Sequence, residues 1–229
     1  MTRTIAVILP VNNPDILKQV DLQPYQSEDC FFELHYVDTH LRELNTAEEV
    51  ALVSQLTSDK AKDVARSGAS AVIIYAFGEF GFEERLQQLL SIPVLTLGAQ
   101  SIREASRVSQ KKFTILPGMI AHNGFLEGFV SGMNLVKNNY QPAKKSPEVS
   151  PAQIRGDAAI LQKLYQLACE EIEKNGVDAF TLGCGSFIGI GRPLQDALQR
   201  KFGQSIHVVD PVEITFNFVK RQLIHSRIN

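Results

Sequence analysis

Hydrophobic positions along this chain gather into short runs separated by polar stretches of helical period. Runs of strand length occur at 4–9 (TIAVIL), 32–38 (FELHYVD), 71–76 (AVIIYA), 93–97 (PVLTL), 112–116 (KFTIL), 178–183 (DAFTLG) and 206–209 (IHVV). The clearest helix is predicted over 153–174, where Ile154, Ala158, Leu161, Tyr165, Ala168 and Ile172 step by fours and threes and lay an apolar stripe along one face. Further helices are predicted at 47–66, 82–90, 99–108, 120–132, 191–202 and 212–225. Strands alternating with helices predict an α/β fold with mainly parallel sheets flanked by helices.

The pattern repeats once. Residues 68–78 read GASAVIIYAFG and residues 176–186 read GVDAFTLGCGS. In each, a glycine opens the segment, an alanine follows three places later and a strand ends near the eighth place. That place holds Ala76 in the first copy and Cys184 in the second. A helix and a short strand follow both. The repeat predicts two pseudo-symmetric lobes with a cleft between them: lobe 1 from 1–98 plus 206–229, and lobe 2 from 99–205. The segment 138–151 (NNYQPAKKSPEVSP) carries three prolines and no apolar period, and it reads as a surface loop, with a hinge or lid as the alternative.

Composition narrows the partners. The formal net charge is −2, with charges of both signs spread along the chain, so neither a nucleic-acid face nor an anionic-membrane face is expected. No apolar stretch approaches the roughly 20 residues that span a bilayer, and the run after the N-terminal methionine reads as a first strand, not a signal. Three unevenly spaced cysteines form no disulfide framework, and the five histidines form no metal-ligand pattern, so no metal is expected. A soluble, reducing, cytoplasmic setting and a small-molecule ligand follow as expectations.

Cys184 is the candidate reactive group. It closes a strand, stands between two glycines and precedes GSFIGIGRPL, whose amides form a candidate anion-binding turn and whose helix start favours a thiolate. Cys30 and Cys169 read as small buried hydrophobes. A dinucleotide loop at GCGSFIG, with Asp210 as the ribose acid, is the weaker alternative, because the third glycine falls one place late for the fingerprint. Glu79 and His122 follow other strand ends and are the alternatives for a second acid/base, although Glu79 equally suits a helix cap.

These residues resemble the aspartate/glutamate/hydantoin racemase superfamily, and within it the hydantoin and allantoin racemase branch. The resemblance runs over nearly the whole chain and is carried by AVIIYAFGEFG at 71–81, IPVLTLGAQSIREA at 92–105, VDAFTLGCGSF at 177–187 and the IHVVDPVEIT ending. It implies two α/β lobes, no metal or organic cofactor, homo-oligomers, and two cysteines on opposite sides of a substrate stereocentre. Cys184 matches the second-lobe cysteine as acid/base, and Gly185 and Ser186 match its oxyanion turn. Asn12, or Asn13 in a shifted register, matches a polar substrate contact. Ala76, Phe77 and Gly78 line the substrate on the first lobe.

The chain departs from that pattern at Ala76, which stands where the family's first cysteine is expected, and at Pro117 and Gly118, where a threonine-rich turn is expected. The resemblance implies a cofactor-independent amino-acid or hydantoin racemase-type isomerase, acting by proton transfer at carbon next to a carboxylate, amide or hydantoin carbonyl. The alternatives are a single-cysteine decarboxylase of malonate-type acids and a homologue that binds small molecules without turning them over.

Overall fold

The computed structural model describes residues 2–42, 44, 46–77, 82–118, 123–133, 135, 139–142, 146–147 and 158–225. The chain divides into two compact units, Met1–Leu97 with Thr215–Asn229, and Gly98–Ile214. The strands are β1 (Arg3–Leu9), β2 (Cys30–Tyr36), β3 (Ala71–Ile74), β4 (Val94–Thr96), β5 (Lys112–Pro117), β6 (Val177–Gly183) and β7 (His207–Val209). The helices are α1 (Ala47–Arg66), α2 (Phe82–Leu89), α3 (Leu97–Val108), α4 (Asn123–Gly132), α5 (Ala158–Asn175), α6 (Gly191–Phe202) and α7 (Pro211–His225), with a short 3-10 helix at Gln19–Tyr25.

The first unit holds a parallel sheet in the order β2-β1-β3-β4. Its central strands are buried on both faces, which is why β1 and β3 read as continuous apolar runs and do not alternate. Ala6, Ile8, Val72 and Ile74 face Ala61 and Val64 of α1. Helix α1 starts on a capping box, in which the Thr46 hydroxyl accepts from the Glu49 amide at 3.2 Å and the Glu49 carboxylate accepts from the Thr46 amide at 3.0 Å. It ends where Gly68, at φ 97°, turns the chain into β3, with Gly68 N–H on the Ala65 carbonyl and Ala69 N–H on the Val64 carbonyl.

The second unit holds β5-β6-β7, also parallel, with Thr114, Leu116, Phe180 and Leu182 in adjacent register. Helix α5 buries Ile160, Leu164 and Ala168 against this sheet, while Leu161 and Tyr165 are partly covered. The apolar stripe is therefore centred one residue before the predicted one. Cys169 packs in the same cluster, as a small hydrophobe does. The turn into β5 is clamped by Asp178, whose buried carboxylate accepts from Ser109 Oγ at 2.7 Å and from the Gln110 and Lys111 amides at 3.0 Å.

One expectation is corrected. Strand β7 pairs with β6, Thr181 beside Val209, so residues 206–214 belong to the second unit and not to the first. Within the 138–151 segment, residues 139–141 also pair with the sheet. Phe113 N–H donates to the Asn139 carbonyl at 3.0 Å, Gln141 N–H donates to the Phe113 carbonyl at 2.8 Å, and the rings of Phe113 and Tyr140 lie 5.3 Å apart. Residues 139–141 thus stand beside β5 as β2 stands beside β1. Each unit then has the same strand connectivity, which is the structural form of the internal repeat.

Candidate active site

The carboxyl ends of β5 and β6 converge on one spot of the second unit. Pro117 pairs with Gly183, and the next residues, Gly118 and Cys184, are neighbours: a Cβ built on Gly118 would lie 3.6 Å from that of Cys184. This approach depends on Gly183. Any side chain there would stand 2.9 Å from Ile115 Cγ2, from the Leu116 carbonyl oxygen and from Pro117 Cα, separations that side chains do not tolerate. Glycine lets β6 run flush against β5 and carries the thiol to the strand end.

Beyond Cys184 the chain makes two successive tight turns. Phe187 N–H donates to the Cys184 carbonyl at 3.2 Å, and Ile190 N–H donates to the Phe187 carbonyl at 3.1 Å. Gly189 has φ 76° in the second turn, and the fully buried Phe187 ring anchors the pair to the core. The amide of Ser186 points back at the sulfur, 3.5 Å from Sγ. The Ser186 hydroxyl is buried and has no hydrogen-bond partner among the described residues. It falls short of hydrogen-bond geometry to Cys184, yet it is near enough to help stabilise negative charge on the sulfur. A buried hydroxyl beside a thiol, with no hydrogen-bond partner among the described residues, has donor capacity left for a ligand.

Burial pushes the Cys184 thiol above its ordinary range, and the Ser186 amide and hydroxyl pull the other way without overcoming it. The expectation that the helix start would favour a thiolate is corrected here. Helix α6 begins seven residues on, and at Cys184 itself desolvation outweighs the donors around it. The resting group is a thiol, suited to giving a proton.

Asp210 ends β7 in the same unit and is committed locally. Its Oδ1 accepts from the Val212 amide at 2.9 Å and from the Glu213 amide at 3.2 Å, capping α7. A Cβ on Gly191, the first residue of α6, would stand 3.0 Å from Asp210 Cβ, a tight contact that favours a small residue where the Cys184 turns enter their helix. The D-P-V-E pattern, an N-cap followed by proline at the first helical position, was the signal for this role. It leaves no support for Asp210 as a ribose acid.

In the first unit, Ala76 follows β3 as Cys184 follows β6, and it is half-buried beside the core of that unit. Phe77 is buried. Asn12 presents an exposed side chain just after β1, while Asn13 is buried and spent locally: its Oδ1 accepts from the Asp15 amide at 3.1 Å and from Arg42 Nη2 at 3.2 Å. Of the two, Asn12 is the exposed one. Gly78, Glu79 and His122 lie outside the described residues. Among the described residues no group of three or more His, Cys, Asp or Glu could hold a metal ion, and no helix is long and apolar enough to cross a membrane. Gly118 was marked in the sequence only as a departure from the family pattern, and Ser146 was missed as its neighbour. Ser146 Oγ donates to the Gly118 carbonyl at 2.8 Å, and a serine in a proline-rich stretch carries no signal of that contact.

A family model described as Asp/Glu/Hydantoin racemase matches residues 32–219. The chain belongs to this family. A hydantoin racemase from Paenarthrobacter aurescens is 27% identical over 146 residues, which span 62% of this chain and 57% of that relative. The allantoin racemase from Klebsiella pneumoniae has a similar fold, with a TM-score of 0.80 over 98% of this chain and 89% of that one, at 14% identity. Unliganded arylmalonate decarboxylase is also similar, with a TM-score of 0.65 over 96% and 92% of the two chains, at 18% identity. Racemase-family membership and the α/β architecture with parallel sheets are thereby established.

Proposed function

We propose that this protein is an isomerase of the racemase type, inverting a carbon acid next to the carbonyl of an amino acid or hydantoin without a cofactor, with Cys184 as acid/base. The observation that carries this is the thiol at the end of β6 with the Ser186 amide on its sulfur and, beside it, the buried Ser186 hydroxyl, which has no hydrogen-bond partner among the described residues. A base on one face takes the proton from the substrate carbon, leaving a planar enolate. Cys184 Sγ–H then gives its proton to the opposite face and becomes a thiolate. The Gly185–Ser186 turn holds the oxygen on which charge develops, and Asn12 and the 76–78 segment contact the substrate. A carboxylate or imidazole serves as the other base, with Glu79 and His122 the candidates.

A second reading is favoured by Ala76. The place in the first unit that corresponds to Cys184 carries no thiol, and decarboxylation of a malonate-type acid needs a single proton donor, since departing carbon dioxide leaves the enolate directly.

Incubating the protein with hydantoins, amino acids and malonates in heavy water, followed by NMR and polarimetry, tests both. Deuterium uptake with loss of optical rotation supports racemisation, and carbon dioxide release supports decarboxylation. Binding without either leaves a homologue that has lost its chemistry. Assembly into homo-oligomers belongs to the same reading, and light scattering measures it.

A further inference from the structure

Gly183, just before the thiol, and Gly118, across from it at the end of β5, are glycines for different reasons. Gly183 is forced by backbone contact. Gly118 is not: its φ lies outside the left-handed region, and a Cβ there would meet, among the described residues, a single atom within 4 Å, the Cβ of Cys184 at 3.6 Å. That is an ordinary van der Waals separation. An alanine would suit this backbone, and it would lower the conformational entropy lost on folding. Among the described residues, what glycine leaves at this buried position is room beside the bond that carries the thiol. The room has a fixed direction, because Ser146 Oγ donates to the Gly118 carbonyl at 2.8 Å and holds that peptide in place.

We infer that residue 118 determines specificity for the substrate group lying beside the Cys184 thiol, and that its glycine admits a carbon acid with a bulky substituent, a ring or a branched chain, on the reacting carbon. The inference rests on the proposed role of Cys184 and adds the size of the substrate to it. A larger side chain at 118 stands beside the Cys184 Cβ and narrows the approach to the sulfur.

Alkylation of Cys184 measures that room independently of turnover. Iodoacetamide and N-phenyl iodoacetamide would be reacted with the unsubstituted protein and with the Gly118→Ala and Gly118→Thr variants, with labelling read by peptide mass and folding by thermal melting. Relative to the unsubstituted protein, the small reagent should react within about threefold in all folded variants, while the aryl reagent slows by about tenfold in Gly118→Thr, with Gly118→Ala between. Should the threonine variant not fold, the alanine variant carries the comparison. In parallel, exchange of 5-benzylhydantoin should fall relative to 5-methylhydantoin in the same order. An unchanged ratio of aryl to small reagent overturns the inference about residue 118. Full turnover by Cys184→Ser overturns instead the role of the thiol on which the inference rests.

Discussion

Gly183 approaches Pro117 so closely that a Cβ on the glycine would stand 2.9 Å from the proline Cα. The contact closes the ends of β5 and β6 against each other, one residue before the candidate thiol. Gly183→Ala should therefore do two things. It should cost about 1–3 kcal/mol of stability, as other overpacked sites do, and it should displace the Cys184 turn. Chemical denaturation measures the first effect and the Cys184 alkylation rate the second. Wild-type stability and reactivity in this variant would mean that the strand ends part freely.

The relation between Ser186 and Cys184 has a pH signature. The thiolate is the species that reacts with alkylating reagents, and burial already holds the thiol above its ordinary range, with both Ser186 groups opposing. Ser186→Ala removes the hydroxyl but keeps the amide. The pH profile of Cys184 alkylation should move upward, so that at pH 8 the rate falls by roughly two- to fivefold. A profile that stays put, or moves down, would show that the hydroxyl does not act on the sulfur.

Asp210 offers a test of sign in stability. Burial raises its folded-state pKa, and the Val212 and Glu213 amides only partly offset this. Below the unfolded-state value of about 3.9 the carboxyl is neutral in both states and costs nothing. As pH rises through the raised folded value, the unfolded chain ionises more readily and stability is lost. Asp210→Asn keeps a capping oxygen and removes the charge. Its melting temperature should exceed that of the parent at pH 7, with the gap shrinking toward pH 4. Calorimetry across that range checks it, and a gap that widens on acidification would contradict the sign.

Much of this architecture was legible in the residues because its strands are buried on both faces. TIAVIL and AVIIYA cannot be covered any other way, and the glycines that open the two repeats, Gly68 and Gly176, both take positive φ before a central strand. The strand-end place of Cys184 was legible from the apolar run that stops at the glycines around it, although the side chain also packs partly against the core of its unit. The β2 boundaries slipped from 32–38 to 30–36, because Cys30 and Phe31 pair with β1 through backbone groups that any residue carries. The same limit hid residues 139–141, whose pairing with Phe113 is made by main-chain atoms of Asn139 and Gln141. The 3-10 helix at Gln19–Tyr25 has no apolar period, and the Ser146 contact with Gly118 joins residues 28 apart through a carbonyl, which leaves no trace in side-chain pattern.

That 3-10 helix has a function in the fold that leads to the last prediction. Strand β2 is the edge of the first sheet, and the free groups on its outer side are taken by two glutamines. Gln26 Oε1 accepts from the Phe32 amide at 2.7 Å, Gln19 Oε1 accepts from the Leu34 amide at 2.8 Å, and both side-chain amides donate to the Phe32 carbonyl at 2.9 Å. An open edge with an exposed Phe31 would be a template for pairing with another chain. Removing the caps by the double substitution Gln19→Ala, Gln26→Ala should expose three backbone groups, each worth about 1 kcal/mol in a satisfied hydrogen bond. The variant should lose stability by about 1–3 kcal/mol and gain a slow, concentration-dependent association beyond any assembly of the parent. Gln19→Glu should differ, because a carboxylate still accepts from the Leu34 amide while its charge repels a second edge. Equilibrium denaturation and light scattering over time distinguish these outcomes. If the double variant shows unchanged stability and scattering, the glutamines are surface decoration and the edge is guarded by something else.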